Sequence, residues 1–306
     1  MDLSLPKTIS LMEVGPRDGL QNEKAFVPTF EKIEFIEALA SSGIRRIEAT
    51  AFVSPRYIPP LSDQMEVMRG IKKRSGAIYA ALVPNFLGYE RAIKSGADEI
   101  SIVIAVTNSH NQKNLNADTE TVFSRYKEVS TMAKRDKIPF RAYLSCTFGC
   151  PYEGDISLGR VVDLIGRLLS LGAYEVSLSD TIGIASPLKT KEVLDAVLKK
   201  FPSDLLALHM HDTRGMALAN IFLALSMGIH SFDSAAGGLG GCPYAPGASG
   251  NVATEDFLNM LHSMGIDTGI DIDQVIKASL KIEGRIKKHV PSKLAAIKRA
   301  RENLSE

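Results

Sequence analysis

Apolar positions along the chain follow two periodicities. Short apolar runs, alternating or uninterrupted, are typical of buried strands, whereas apolar residues every three or four positions predict helices packed on one face. The short runs predict eight strands, at residues 9–15, 45–51, 77–83, 99–106, 140–146, 175–180, 205–211 and 231–236. The helical pattern predicts helices at residues 29–42, 62–74, 86–95, 119–136, 157–171, 188–201, 217–227 and 254–264. Strands and helices therefore alternate along the chain.

Glycine marks the boundary between helix and strand at four places. The four segments are SSGIRRIEA (41–49), KSGADEISI (94–102), SLGAYEVSL (170–178) and SMGIHSFDS (226–234). In each, a helical stretch ends at Gly and an apolar run begins within four residues. Glycine suits this reversal because it adopts positive φ without a steric clash. The repeat predicts an α/β protein.

Eight strand–helix units without a break in composition favour a closed (β/α)8 TIM barrel. A doubly wound sheet is the alternative, but the count of eight favours closure. Residues 1–306 are expected to form one domain, in which 271–306 is a C-terminal helical extension. Within it, 271–286 predicts a further helix and the basic stretch 287–306 predicts a solvated tail or a capping helix. A weaker alternative places the cations of that stretch near a phosphate-bearing substrate.

Composition excludes several classes of protein. The chain of 306 residues is 45% hydrophobic and 23% charged, unlike a disordered protein or a disulfide scaffold. The net charge of +1 gives no field that would recruit nucleic acid or an anionic membrane. The N-terminus lacks the features of a signal peptide, and no apolar run approaches the ~18 residues of a membrane span. We expect a cytoplasmic protein.

Polar residues at the carboxyl ends of the strands are the candidates for chemistry, because those ends gather at one rim of a barrel. The candidates are Arg17, Asp18, Gln21, Glu48, Asp180, His209, His211, Cys242 and Asn251.

His209 and His211 predict half of a metal site. Side chains two residues apart in a strand project from the same face, here the barrel interior. A single histidine is more often a hydrogen-bonded core residue, but this pair accompanies carboxylates on other strand ends, which favours metal binding. Asp18 is the expected anionic ligand. Asp, two His and an amide oxygen suit Mg²⁺ or Mn²⁺, although Zn²⁺ also fits such a set.

Arg17 adjoins Asp18 in a Gly-Pro-Arg-Asp-Gly turn. It is either one half of a surface salt bridge or a guanidinium aimed at a carbonyl or enolate oxygen; its place at the end of the first strand favours the second. Glu48 is either a structural carboxylate or a group that orients Arg17 or supports the metal ligands.

The three cysteines, Cys146, Cys150 and Cys242, lack paired CxxC spacing, which argues against a disulfide framework and a zinc cluster. We expect free thiols. Cys242 follows GGLGG, so a mobile loop is expected to carry it, although a lone thiol is often buried and inert. This loop lacks the Lys-Ser/Thr of a phosphate-binding P-loop. Cys146 and Cys150 are interpreted as structural.

Seven segments spread over nearly the whole chain resemble the 3-hydroxy-3-methylglutaryl-CoA (HMG-CoA) lyase family. They are GPRDGLQNEK (15–24), AFVSPRYIP (51–59), ALVPN (81–85), GCPYEG (149–154), SDTIG (179–183), HMHDTRGMALAN (209–220) and GGLGGCPYAPGASGNVATED (237–256). The Arg-Asp-Gly turn and the HxHD strand are shared with related synthases, whereas GLGGCPYA with ASGN is specific to the lyases. The chain departs from the family pattern at Ser179, where LSDT replaces LGDT and adds a hydroxyl beside Asp180.

The resemblance implies cleavage of HMG-CoA to acetyl-CoA and acetoacetate, in leucine degradation or ketone-body formation. It makes Asp18, His209, His211 and Asn251 the ligands of Mg²⁺ or Mn²⁺. It places Arg17 and Glu48 around the reacting acyl oxygens, with Gln21 as a substrate-binding residue. Cys242 becomes the catalytic thiol of a mobile loop and Asp180 an active-site carboxylate. The family also suggests a homodimer. The absence of a mitochondrial leader and a peroxisomal tail suggests a bacterial, cytoplasmic enzyme.

Three other functions compete with this expectation. A Claisen-type synthase or aldolase would use the same metal and enolate to form a carbon–carbon bond. A non-catalytic acyl-CoA or metal-binding protein would have lost Arg17, a histidine or the thiol, and none is lost here. Nucleic-acid binding is opposed by the charge balance and by the lack of an aromatic and basic stripe.

Overall fold

Eight parallel strands close into a barrel, as the sequence predicts. The computed structural model describes residues 5–23, 25–241 and 250–304. The strands are β1 (Ser10–Glu13), β2 (Arg46–Ala51), β3 (Ile78–Leu82), β4 (Glu99–Ala105), β5 (Phe140–Ser145), β6 (Val176–Asp180), β7 (Leu206–Met210) and β8 (Ser231–Ser234). Each pairs with its neighbour in chain order, and β8 pairs with β1. The doubly wound alternative is therefore wrong.

Helices surround the barrel. They are α1 (Thr29–Ser41), α2 (Gln64–Gly70), α3 (Phe86–Lys94), α4 (Asn108–Leu115), α5 (Thr119–Asp136), α6 (Leu158–Leu171), α7 (Pro187–Leu198), α8 (Ala217–Ser226), α9 (Thr254–Ser263), α10 (Ile272–Ile286) and α11 (Lys293–Asn303). Among the helices that the structure describes, none is both long and apolar enough to cross a bilayer.

The four glycines that end helical stretches have the backbone that the repeat predicts. Gly43, Gly96, Gly172 and Gly228 have φ values of 105°, 92°, 106° and 90°. Each reverses the chain between a helix and the next strand, a conformation that other side chains resist.

The sequence pattern misses α4, which follows β4. Its sequence, NSHNQKNL, has no apolar stripe, so periodicity gives no helical signal there. Tertiary hydrogen bonds hold it instead. The Asn111 side chain accepts from the backbone nitrogen of Ala105 at 2.7 Å and donates to its carbonyl at 2.9 Å, which ties α4 to the end of β4.

The basic C-terminal stretch forms α11, the capping helix among the two predicted alternatives. Ser292 caps its first turn by accepting from the Ala295 nitrogen at 3.2 Å. The Asp256 carboxylate in α9 accepts from Lys293 and Leu294 nitrogens at 2.8 and 3.0 Å. These bonds fix the extension against the helix that follows β8.

Charged side chains fill the middle of the barrel. Arg141 on β5 is fully buried, and its guanidinium lies 2.9 Å from Asp233 on β8 and 2.9 Å from Glu175 beside β6. Glu175 also pairs with Arg46 on β2 at 3.0 Å. Opposite charges from four parts of the sheet thus compensate one another where water is excluded, as buried charges require.

Replacing Arg141 with Met leaves Asp233 and Glu175 buried without their shared cation. We expect the free energy of unfolding to fall by about 3–5 kcal/mol, because a buried charge that loses its partner is strongly destabilising. Equilibrium unfolding in urea measures the change.

The matched control is Arg135→Met. Arg135 pairs with Asp136 at the surface, with a side chain that is 65% exposed, so its loss is expected to cost about 0–1 kcal/mol. Equal losses in the two variants would contradict a stabilising role for the buried cation.

Candidate metal centre and active site

The loop after β1 directs two candidate residues into the barrel mouth. Gly15–Gly19 form a single π-helical turn, in which the Val14 carbonyl accepts from the Gly19 nitrogen, five residues on, at 3.2 Å, and also from the nitrogens of Arg17 and Asp18 at 3.1 and 2.7 Å. Such turns are uncommon and occur often at functional sites. Its conformation places the adjacent Arg17 and Asp18 side chains at the end of the barrel where the strands terminate.

Glu13 holds this turn beside the loop after β8. Its buried carboxylate accepts from the nitrogens of Gly15 at 2.7 Å and Ala236 at 2.9 Å, and from the Thr254 hydroxyl at 2.6 Å. Burial raises the pKa of Glu13 to about 7, although these hydrogen bonds lower it. Sequence reasoning did not identify Glu13; its signal is an acidic residue at the end of an apolar strand.

Asp18, His209 and His211 converge, as predicted. One ligand atom from each lies within 4.8 Å of the others, and Asp18 Oδ2 is 4.0 Å from His209 Nε2. The centroids of the two imidazole rings are 5.2 Å apart. The i, i+2 spacing at the end of β7 therefore brings both rings to the same side of the barrel.

Asn251 and Gln21 complete the surroundings of Asp18. The Asn251 side-chain nitrogen donates to Asp18 Oδ2 at 2.8 Å and to the Leu239 carbonyl at 3.0 Å. The Gln21 side-chain nitrogen donates to Asp18 Oδ1 at 2.8 Å. Both residues therefore lie against Asp18. The predictions that Asn251 ligates the metal through its amide oxygen and that Gln21 binds substrate stay predictions, and the observed contact of Gln21 orients the Asp18 carboxylate.

The chemistry of the group fits a divalent cation. Burial opposes ionisation of Asp18, but the Arg17 guanidinium and the histidines lower its pKa to about 2. Burial and the neighbouring His209 lower the pKa of His211 to about 4. An ionised carboxylate and a neutral imidazole are the forms that ligate metals. The buried Nδ1 of His211 has no hydrogen-bond partner in the described part of the chain, so this nitrogen is available to a bound ion.

Asp233 supports His209 from inside the barrel and was missed from the sequence. His209 Nδ1 lies 3.3 Å from Asp233 Oδ2, and the two residues are paired across β7 and β8. Arg141 at 2.9 Å and the Ser177 hydroxyl at 2.7 Å hold the Asp233 carboxylate. A carboxylate on one ring nitrogen fixes the imidazole and leaves Nε2 for a metal. The available signal is an acidic residue within the predicted strand 231–236.

Arg17 is buried, so the surface salt bridge is wrong. Its Nε donates to Glu48 Oε2 and its Nη1 donates to Asp18 Oδ1 at 2.5 Å. The guanidinium carbon lies 5.3 Å from the centroid of the Tyr143 ring. Of the alternatives for Glu48, the structure favours orientation of Arg17. Tyr143, also missed from the sequence, provides an aromatic surface beside the cation.

Asp180 lies at the end of β6 and is 2% exposed. Its carboxylate oxygens accept from the nitrogens of Ile184 and Ala185, each at 3.0 Å. Burial raises the pKa of Asp180 to about 6, against the effect of these bonds. The hydroxyl of Ser179 donates to the Ser177 carbonyl at 3.4 Å, so it serves its own strand.

Cys242 lies outside the described residues, with 243–249, but both anchors of its loop are described. A Cβ on Gly240 would lie 2.8 Å from the Asn251 side-chain nitrogen and 3.7 Å from the Asp18 carbonyl oxygen. A Cβ on Gly250 would lie 3.0 Å from the Gly240 carbonyl carbon. The loop that carries the predicted thiol therefore begins and ends against the Asp18–Asn251 pair.

Comparison with known proteins identifies the family of this chain. Residues 8–282 match the family model described as HMGL-like. The cytoplasmic 3-hydroxy-3-methylglutaryl-CoA lyase of Mus musculus is 49% identical over 291 residues, which cover 95% of this chain and 85% of that protein.

Solved structures agree as well. The crystal structure of the HMG-CoA lyase of Bacillus subtilis superposes with a TM-score of 0.95 at 45% identity, covering 96% of this chain and 99% of that one. The HMG-CoA lyase of Acinetobacter baumannii, in complex with coenzyme A and 3-methylmalate, gives a TM-score of 0.90 at 41% identity, covering 95% of each chain. This chain belongs to the HMG-CoA lyase family.

Proposed function

We propose that this protein cleaves 3-hydroxy-3-methylglutaryl-CoA to acetyl-CoA and acetoacetate. The observation that carries the proposal is a buried guanidinium, Arg17, bonded to Asp18 beside His209 and His211 at the barrel mouth. Membership of the family supports the reaction. The relative that binds coenzyme A supports an acyl-CoA substrate.

The reaction breaks the bond between C2 and C3 of the acyl group. The C3 hydroxyl loses its proton and becomes the ketone of acetoacetate, while the electrons of the broken bond form the thioester enolate. A proton then adds to the enolate carbon and gives acetyl-CoA. The protein must therefore accept one proton, stabilise an enolate and donate one proton.

A divalent cation, Mg²⁺ or Mn²⁺, held by Asp18, His209, His211 and Asn251 would supply Lewis-acid chemistry to oxygen atoms of the substrate. The carboxylate of Asp18 and the amide oxygen of Asn251 suit Mg²⁺ or Mn²⁺, and the two imidazoles are compatible with Mn²⁺ as well as with Zn²⁺. Gln21 keeps the Asp18 carboxylate oriented.

Arg17 stabilises the negative charge that develops on the thioester oxygen. Its side chain is held from two directions, by Glu48 and by Asp18, so it needs no reorganisation during the reaction. Glu48 is thus a positioning residue for the guanidinium.

In this proposal Asp180 accepts the proton of the C3 hydroxyl and Cys242 donates a proton to the enolate. A carboxylate with a pKa of about 6 is suited to accept the hydroxyl proton near neutral pH, although a histidine of the metal group is the alternative base. Cys242, carried by the loop anchored at Gly240 and Gly250, donates to the enolate carbon as a thiol of moderate acidity.

Residues 1–306 are proposed to act as one catalytic unit, in the cytoplasm and as a homodimer. The family model covers most of this length, and the mouse relative is named as cytoplasmic. Sedimentation analysis tests the dimer.

The activity test is release of acetoacetate from HMG-CoA by the purified protein. We expect acetoacetate and acetyl-CoA in equal amounts, loss of both with a chelator, and recovery with Mg²⁺ or Mn²⁺. Formation of a condensation product from acetyl-CoA and a 2-oxo acid, without cleavage, would instead identify a synthase.

Arg17→Gln is expected to lower kcat by roughly 10²–10³-fold, since removing one donor to a developing oxyanion costs that much. Arg17→Lys keeps the charge but loses the planar fork that serves Glu48 and Asp18 together, so its kcat should fall between wild type and Arg17→Gln. Steady-state kinetics measures both. Arg135→Gln is the surface control, and wild-type turnover in Arg17→Gln would refute the enolate role.

Asp233→Asn is expected to weaken Mn²⁺ binding by about 10–100-fold, because it removes the carboxylate that orients His209. Calorimetric titration of the folded protein with Mn²⁺ measures the affinity. Asp195→Asn is the matched control, since Asp195 pairs with Lys191 at the surface. An Asp233→Asn protein that remains folded and binds Mn²⁺ as tightly as wild type would show that Asp233 does not support the metal ligand.

A further inference from the structure

Two cysteines and a histidine form a second group of metal-ligating atoms, which the proposed reaction does not use. We call His110, Cys146 and Cys150 the thiol–imidazole cluster. One nitrogen or sulfur atom from each lies within 4.8 Å of the others, and all three residues are buried. The cluster lies in the segments that follow β4 and β5. Its donors are soft or borderline, unlike the carboxylate and amide of the Asp18 group.

His110 is supplied by a helix that is fixed to the barrel. It lies in α4, whose residue Asn111 bonds both backbone groups of Ala105 at the end of β4. The Tyr152 ring lies against the imidazole, with centroids 6.0 Å apart. The ring therefore sits on a rigid element, which metal ligation favours.

Cys146 is held in an unfavourable backbone conformation. Its φ of 60° lies in the left-handed region, which residues other than glycine seldom adopt. Its backbone nitrogen donates to the Thr181 hydroxyl at 2.8 Å, which fixes the residue directly after β5. Such strain persists where the surrounding structure imposes it, and it clusters at sites of binding and catalysis.

Cys150 is held by a closed turn. The nitrogen and carbonyl of Cys150 bond those of Gly154 at 2.8 and 2.9 Å. Its sulfur contacts the Thr107 hydroxyl at 3.1 Å and accepts from the Tyr152 nitrogen at 3.4 Å. These contacts hold the sulfur towards the loop after β4, on the side from which His110 comes.

We propose that the thiol–imidazole cluster binds Zn²⁺ through the sulfurs of Cys146 and Cys150 and a ring nitrogen of His110. Zinc bonds of about 2.3 Å to sulfur and 2.0–2.1 Å to nitrogen separate these tetrahedral ligand atoms by roughly 3.5–3.8 Å, within the 4.8 Å span of the cluster. Binding releases the thiol protons, which the metal replaces. A fourth position remains for water or for a hydroxyl such as that of Thr107.

The two groups differ in their donor atoms. The thiol–imidazole cluster offers two sulfurs, which favour Zn²⁺ and Co²⁺, whereas the Asp18 group offers no sulfur and adds to its imidazoles a carboxylate and an amide oxygen, which suit Mg²⁺ and Mn²⁺. The interpretation of Cys146 and Cys150 as structural stays a prediction, to which this proposal adds a role as zinc ligands. This proposal does not depend on the lyase reaction, so the two can fail separately.

Titration of the reduced full-length protein with Co²⁺ tests the site. Thiolate ligation gives a sulfur-to-cobalt charge-transfer band in the near ultraviolet, and we expect it to saturate at one equivalent and to disappear when Zn²⁺ is added. The band should be lost in Cys146→Ala and Cys150→Ala. It should persist in Cys242→Ser, which removes the third cysteine of the chain, and in His211→Ala, which disrupts the other metal group.

Alkylation of the native protein gives a second readout. Because Cys146 and Cys150 are buried, the reaction is run in urea below the unfolding midpoint, where transient opening exposes them. Zn²⁺ should slow the alkylation of these two thiols by a thiol reagent, and not that of Cys242, as measured by mass spectrometry of peptides. His110→Gln retains both thiols and a similar shape, and it should weaken Zn²⁺ binding by at least about 10-fold, the lower end of what outer-shell substitutions cost.

Three results would overturn the proposal. One is a folded, reduced protein without the charge-transfer band. Another is a band that survives loss of Cys146 and Cys150 but disappears with Cys242. The third, which remains informative if the alanine variants do not fold, is equal Zn²⁺ affinity in wild type and His110→Gln.

Discussion

The arrangement of the site depends on a cation buried in the barrel, the guanidinium of Arg141. It lies between Asp233 and Glu175, each 2.9 Å away, and its own charge permits both carboxylates to remain ionised without water. The carboxylates hold its pKa well above the ordinary value even though burial lowers it. Asp233 then faces His209, so the orientation of this proposed metal ligand at the rim depends on a charge in the interior.

The Tyr143 ring contacts both the buried guanidinium of Arg141 and the guanidinium of Arg17 at the barrel mouth. The Tyr143 ring lies 4.9 Å from the guanidinium carbon of Arg141 and 5.3 Å from that of Arg17. The electron-rich face of a ring attracts cations, so one residue borders both the structural and the reactive guanidinium. Paired positive and negative side chains thus extend from the centre of the barrel to its mouth. Apolar side chains in these positions would form no hydrogen bonds that orient the residues of the site.

Hydrogen bonds connect the loops at the barrel mouth. Glu13 bonds both the turn after β1 and the turn after β8, and Asn251 joins Asp18 to Leu239. Hydrogen bonds from both loops therefore hold Asp18 and Asn251, two of the proposed metal ligands, next to the residues that precede Cys242.

The sequence by itself determined the eight alternating units, because apolar periodicity and glycine at helix ends are local properties. It also predicted that Asp18, His209 and His211 come together, since spacing in a strand sets which way the two histidines project, and strand ends of a barrel meet at one rim. Only the tertiary structure decided where α4 forms and which buried side chains pair. α4 has no apolar stripe, and hydrogen bonds from Asn111 to the end of β4 hold it in place. The pairing of Arg141 with Asp233, and of His110 with two distant thiols, joins residues far apart in the chain, and no local pattern records which buried charge or sulfur will lie next to which.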